Sequence, residues 1–92
     1  MLTAIIMIQV ERRKINEVAE KLLEIKGITE VYSVSGKWDL VGMLRIAQNE
    51  QLGEVVTSQM TKIEGITKTE TMVAFKAFSR HDLECMFDIG NA

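Results

Sequence analysis

The stretch GITEVYSVSGKWDLVGMLRIA, Gly27 to Ala47, decides the fold. Its first part, Ile28 to Ser35, places apolar residues at Ile28, Val31, Tyr32 and Val34, and its last part, Trp38 to Ala47, is apolar at seven of ten positions. Both parts are rich in β-branched or aromatic residues, and Ser35, Gly36 and Lys37 between them signal a turn, so the stretch reads as two antiparallel strands joined in a hairpin. The later strand is apolar on both of its alternating faces, as a central strand must be. The earlier one is half polar and belongs at an edge.

On the N-terminal side, Leu2 to Val10 is apolar at seven of nine positions and reads as a second central strand. Between it and the hairpin, Ile15, Val18, Ala19, Leu22 and Ile25 follow helical spacing, and Gly27 stands where a C-cap belongs, which predicts a helix over 13–26. Beyond the hairpin, Leu52, Val55, Val56, Met60 and Ile63 repeat that spacing, with Asn49 available as a cap and Gly65 as the closing residue, for a helix over 50–63. Ile66 to Phe78 is the fourth strand, with Thr67, Thr69 and Thr71 on one face at its start. It is apolar at six of the twelve positions 66–77, an edge composition.

The two halves are copies. Gly27-Ile28-Thr29 and Gly65-Ile66-Thr67 lie 65 minus 27, or 38, positions apart, and the same offset lays Leu2 on Leu40, Ile6 on Leu44 and Ile8 on Ile46. Two βαβ units in one short chain predict an α+β, ferredoxin-like βαββαβ domain over residues 1–78, with both helices on one face of the sheet. Ser79 to Asp82 looks like a capping-box start, and Leu83, Met86, Phe87 and then Gly90 predict a short helical extension over 79–92 of the same domain. The helices cover one sheet face, while the central strands are apolar on both. A second sheet is therefore expected on the other face, in a homodimer of the dimeric α/β-barrel kind.

Composition narrows the function. At 92 residues the chain supports one domain with a thin core. Eleven basic against thirteen acidic residues, a net charge of -2, give no attraction to phosphate backbones, so no direct nucleic-acid partner is expected; Arg12, Arg13 and Lys14 read as a solvated helix start. Cys85 is the single cysteine and suits a reducing cytoplasm, and the apolar run Leu2 to Ile8 is too short to span a membrane. His81, the single histidine, falls in the expected terminal-helix cap. With no metal-ligand spacing, Gly-rich phosphate loop or Cys–His pairing, no catalytic residue, metal or cofactor is assigned.

One constellation has local character: Val34, Ser35, Gly36, Lys37, Trp38 and Asp39 at the hairpin, together with Thr69, Glu70 and Thr71 on the fourth strand. Glycine lets a ligand approach the backbone, and Asp is depleted from strands. The plainer reading is a turn whose Asp bonds its own backbone, plus threonines that favour strands.

Gly27-Ile28, Val31, then Val34-Ser35-Gly36-x-Trp38-Asp39-Leu40, followed by Ile63-x-Gly65-Ile66 and Thr69-x-Thr71, resembles the effector-binding domain of the Lrp/AsnC (leucine-responsive) regulators over residues 2–78. The resemblance implies a ferredoxin-like domain that dimerises through its sheets, with dimers joined into rings, commonly octamers, and amino-acid effectors held between dimers. The backbone at Val34, Ser35 and Gly36 and the side chain of Asp39 would meet the effector's polar end, and Thr69 and Thr71 would complete the pocket. A carboxylate suits an α-ammonium group, while backbone N–H groups and hydroxyls suit an α-carboxylate. Trp38 either walls that pocket or packs at the dimer sheet. Because the first strand begins at Leu2, the winged helix-turn-helix of a full regulator is not expected, and full-length relatives are the implied route to transcription. Two other readings remain open at this point: a small dimeric α/β-barrel enzyme such as a cofactor-independent monooxygenase, which calls for a cavity lined by Arg45 or Asp39, and an assembly module without a ligand.

Overall fold

The computed structural model describes residues 1–80. Strand β1 (Leu2–Val10) leads through a 3-10 turn (Arg12–Lys14) into helix α1 (Ile15–Leu23); β2 (Ile28–Ser33) and β3 (Leu40–Ile46) follow, then helix α2 (Asn49–Glu54) and β4 (Ile66–Val73). The sheet order is β2-β3-β1-β4 and every pairing is antiparallel, so the two strands apolar on both faces are central and the two half-polar ones are edges. This is the ferredoxin-like α+β arrangement the repeat predicted.

Register explains which side chains are covered. Ile6 stands opposite Gly42 and Thr71, and Ile8 opposite Leu40 and Thr69. Ala4, Ile6, Ile8 and Val10 are buried with Leu40, Leu44 and Ile46, under Val18 and Leu22 from the first helix and Val55 and Met60 from the second. Each of the buried Val, Leu, Ile and Met side chains contributes about 1.5–3 kcal/mol on burial. The helical residues are those the spacing selected.

The alternate residues form the open face. Ile5 lies between Met43 and Met72, and Met7 opposite Val41, with Tyr32 on the far side of Val41. No helix among the described residues covers them. Tyr32 is 50% and Met72 45% exposed. The Tyr32 hydroxyl donates to Glu30 Oε2, and this bond, with the carboxylate's charge, raises the phenol's pKa above its ordinary value.

Boundaries differ from the expected ones for nonlocal reasons. β4 stops at Val73 rather than Phe78, because Val73 pairs with Ala4 and the Ala74 N–H donates to the Thr3 carbonyl, near the start of β1. The partner strand runs out. The hairpin turn is also longer, since β2 ends at Ser33 and β3 begins at Leu40. The helix expected over 50–63 starts at Asn49 as α2, continues as a π-helical segment over Val55–Gln59 and ends in a 3-10 turn over Met60–Lys62. Gly53 and the β-branched Val55, Val56 and Thr57 weaken the regular winding there, and the Thr57 hydroxyl bonds back to the Gly53 carbonyl. Asn49 is not the cap: the Gln51 Oε1 accepts from the N–H groups of Ala47 and Gln48, at 2.9 and 3.0 Å. The first helix begins as the 3-10 turn and leaves α geometry at Leu23. The expected helix over 79–92 lies, from His81 onward, outside the described residues, as do His81 and Cys85.

Candidate ligand-binding site

The hairpin loop, residues 34–39, is tied to the central strand β1 along its length. The Val34 N–H donates to the Asp39 carbonyl (3.1 Å) and closes the loop, and the Asp39 N–H donates to the Ile8 carbonyl (3.0 Å). Asp39 Oδ2 accepts from the Val10 N–H at 2.8 Å, and Gln9 Nε2 donates to the Lys37 carbonyl at 2.9 Å. So the carboxylate of Asp39 bonds a neighbouring strand rather than its own turn. Its other oxygen accepts no hydrogen bond among the described residues.

This bond carries a stability prediction. Asp39→Ala strips the half-buried Val10 N–H of its acceptor and is expected to cost about 1–2 kcal/mol, whereas Asp39→Asn, whose amide oxygen can still accept, should retain most of that stability. Urea midpoints of the two variants against the parent measure it. Equal losses would remove the bond from the account of the fold.

At the loop's tip, Val34, Ser35 and Gly36 are exposed. Gly36 has φ +107°, which side-chain-bearing residues rarely adopt, and a Cβ built on it meets nothing within 4 Å, so the tip presents bare backbone to solvent. Trp38 is half-buried, with Lys37 Nζ 6.0 Å and Lys68 Nζ 5.7 Å from its ring centroid. Lys68 pairs with Gln9, whose side chain faces away from the helices, so the indole lies on the open face of the sheet beside Gln9.

The threonines sit differently. Thr69 and Thr71, opposite Ile8 and Ile6, are half-buried on the helix-covered side. Thr67 does not continue their row: a register shift where Gln9 pairs with Lys68 and Val10 with Ile66 displaces it, and its hydroxyl donates to the Gln9 carbonyl (3.2 Å). Thr67, Lys68 and Thr69 all border a cleft of about 310 Å³ between β4 and the end of the second helix, with Val56, Met60 and Ile63 among its other walls. The fold thus brings the hairpin and Thr69 to the same end of β1, flanking it on either side, but turns Trp38 and Thr69 to opposite faces. One chain does not gather the whole set into one cavity.

A second cleft, about 490 Å³, lies between the exit of the first helix and the second helix, lined by Arg45, Lys26, Gln51 and Glu54 among others, all four exposed. Neither cleft is lined by residues 34–39. Among the described residues no group of His, Cys, Asp and Glu could hold a metal ion, and no helix is long and apolar enough to cross a membrane.

Sequence reasoning placed Lys37 in the hairpin constellation without giving it a role and did not single out Gln9 or Lys68. The signal for Gln9 and Lys68 is their pairing, which depends on the register shift and is invisible in local pattern.

Two helices on one side of a β2-β3-β1-β4 sheet, with a polar hairpin locked onto the central strand, define a small ferredoxin-like α+β domain. Residues 3–83 match the Lrp/AsnC ligand binding domain, and the chain belongs to that family. An HTH-type transcriptional regulator of Pyrococcus furiosus is 41% identical over 59 residues, 64% of this chain but 39% of the regulator, so the chain matches well under half the length of that relative. The crystal structure of TTHA0845 from Thermus thermophilus is 38% identical with a TM-score of 0.82, over 87% of this chain and 100% of that one. A Neisseria meningitidis transcriptional regulator solved as its L-methionine complex shares the fold, at 12% identity and a TM-score of 0.77, over 86% of this chain and 53% of that one.

Proposed function

We propose that this domain binds an amino-acid effector and assembles into oligomers, and through them influences amino-acid-responsive transcription in a cytoplasmic setting. The observation that carries the reading is the hairpin of a family ligand-binding domain anchored to β1 by Asp39 and Gln9, with its Val34, Ser35 and Gly36 backbone presented to solvent. The open sheet face supports the assembly step: among the described residues no helix covers Ile5, Met7, Val41 and Met43 there, and a second sheet packed on them makes a dimer. Because Trp38 and Thr69 face opposite sides of one sheet, the effector site is completed where dimers meet in a larger ring, with the hairpin and Asp39 on one side and Thr69 and Thr71 on the other. The methionine seen in the Neisseria regulator makes L-methionine a first probe.

Calorimetric titration with the twenty amino acids, on protein whose mass in solution is measured by light scattering, tests the reading. A saturable heat from an oligomer is expected, and a Ser35→Ala, Gly36→Ala double variant should weaken it about tenfold, the effect of losing one hydrogen bond. A folded chain that gives no heat with any of them, or that is monomeric, overturns it.

The enzyme alternative called for a cavity lined by Arg45 or Asp39. The cleft beside Arg45 is bordered by exposed Lys26, Gln51 and Glu54, and Gln51 is committed to the backbone of Ala47 and Gln48. That arrangement favours binding at the hairpin over chemistry at the cleft.

A further inference from the structure

We propose, resting on the ligand-binding reading above, that the hairpin corner recognises its ligand chiefly through a carboxylate, held by the ammonium groups of Lys37 and Lys68 where both approach the indole of Trp38. Three elements converge there. Lys37 and Trp38 come from the hairpin, Lys68 from β4, and Gln9 of β1 lies between, bonding the Lys37 carbonyl and pairing with Lys68. Both lysines are therefore positioned from the same central strand.

Their charges are not neutralised among the described residues. Among the described residues neither ammonium has a carboxylate within 4.0 Å; the one ion pair there joins Lys14 and Glu64, at 3.7 Å. Glu70 shares the open face two residues from Lys68 without reaching it, and Asp39 turns one oxygen onto the Val10 N–H. An aromatic face attracts an ammonium group but leaves its N–H donors able to bond elsewhere. With Lys37 Nζ 6.0 Å and Lys68 Nζ 5.7 Å from one ring centroid, the corner carries two positive charges that favour a bound anion. A carboxylate has two acceptor oxygens and meets this need, with charge-assisted bonds.

The same geometry weakens the hold on an amine. Asp39 is the hairpin's acidic side chain, and part of its capacity is spent on the backbone of β1. The acid end of an amino acid should thus contribute more to affinity than its amino end. A keto acid with the same side chain becomes a competent ligand, and the corresponding amine does not.

Trp38 is the single tryptophan, so its emission reports on this corner directly. On the full chain at fixed ionic strength, each amino acid that gives heat in the titration above is compared with its keto acid and with the amine left by its decarboxylation. The keto acid is expected to bind within about threefold of the amino acid and the amine at least tenfold more weakly, while Lys37→Gln and Lys68→Gln each weaken both acids about tenfold with unchanged thermal unfolding. An amine that binds as tightly as its amino acid, or lysine variants that bind like the parent, overturns the carboxylate assignment and leaves the effector reading standing. Failure of every amino acid and keto acid to bind the parent overturns both.

Discussion

Leu44→Ala is expected to lower the unfolding free energy by about 2–5 kcal/mol, a large share of what a domain of this size possesses. Leu44 is fully buried in the central strand β3, between Ala4 on β1 and Ile28 on β2. Its isobutyl group fills the space between sheet and helices, and truncation loses both the burial of those atoms and their contacts across the cavity left behind. Leu23, at the end of the first helix and 52% exposed, supplies the control: Leu23→Ala should cost well under half as much. Denaturant unfolding at one protein concentration checks the pair, since assembly would otherwise shift the apparent stability. Equal losses at the two positions would show that the core does not lie where the burial places it.

Gly27→Ala is expected to cost about 2–4 kcal/mol, through two effects that the structure separates. The residue has φ +101°, where a side chain costs about 1–2 kcal/mol. A Cβ there would also lie 3.0 Å from Leu44 Cδ1, 3.2 Å from the Arg45 carbonyl oxygen and 3.2 Å from Ile46 Cγ2. The leucine tip can move, but the backbone oxygen cannot, because β3 is held on both sides. Gly27 also accepts the Arg45 N–H on its carbonyl at 2.8 Å, so a shift to relieve the clash strains that bond. Gly36→Ala provides the comparison, with φ +107° and open space around it: it should show the backbone cost alone. Combining Gly27→Ala with Leu44→Ala should cost less than the sum of the two, because one removes an atom the other collides with. Strict additivity in the thermal or denaturant data would sink this account of the contact.

The candidate site was legible in part. Val34, Ser35 and Gly36 were recognisable as a turn because their residue types mark one, and the loop's exposed backbone follows from that. Asp39 was recognisable as out of place in a strand, but its partner was not: Val10 is 29 positions away, and nothing in either segment announces a bond between a carboxylate and that particular N–H. The threonine row failed at Thr67 because strict alternation assumes an unbroken ladder, and one displaced residue opposite Gln9 and Val10 breaks it. Trp38, open to two roles in the sequence, lies on the face opposite the two helices of the described residues. Its lysine neighbours come from two elements that only pairing brings together.

By itself the sequence determined the four strands and the place of the two helical segments between them, the repeat that relates the halves, and which strands lie in the centre. These rest on local properties: alternation decides the faces of a strand, a 3.6-residue period decides the buried stripe of a helix, and two-sided apolarity demands cover on both faces. Only the tertiary structure decided where β4 stops, which amide Asp39 satisfies, and that Trp38 and Thr69 turn to opposite faces. Each of these is settled by register. A strand ends where its partner ends, and a side chain's face depends on every pairing before it, so a single shift between Gln9 and Val10 redirects residues that no local pattern could place.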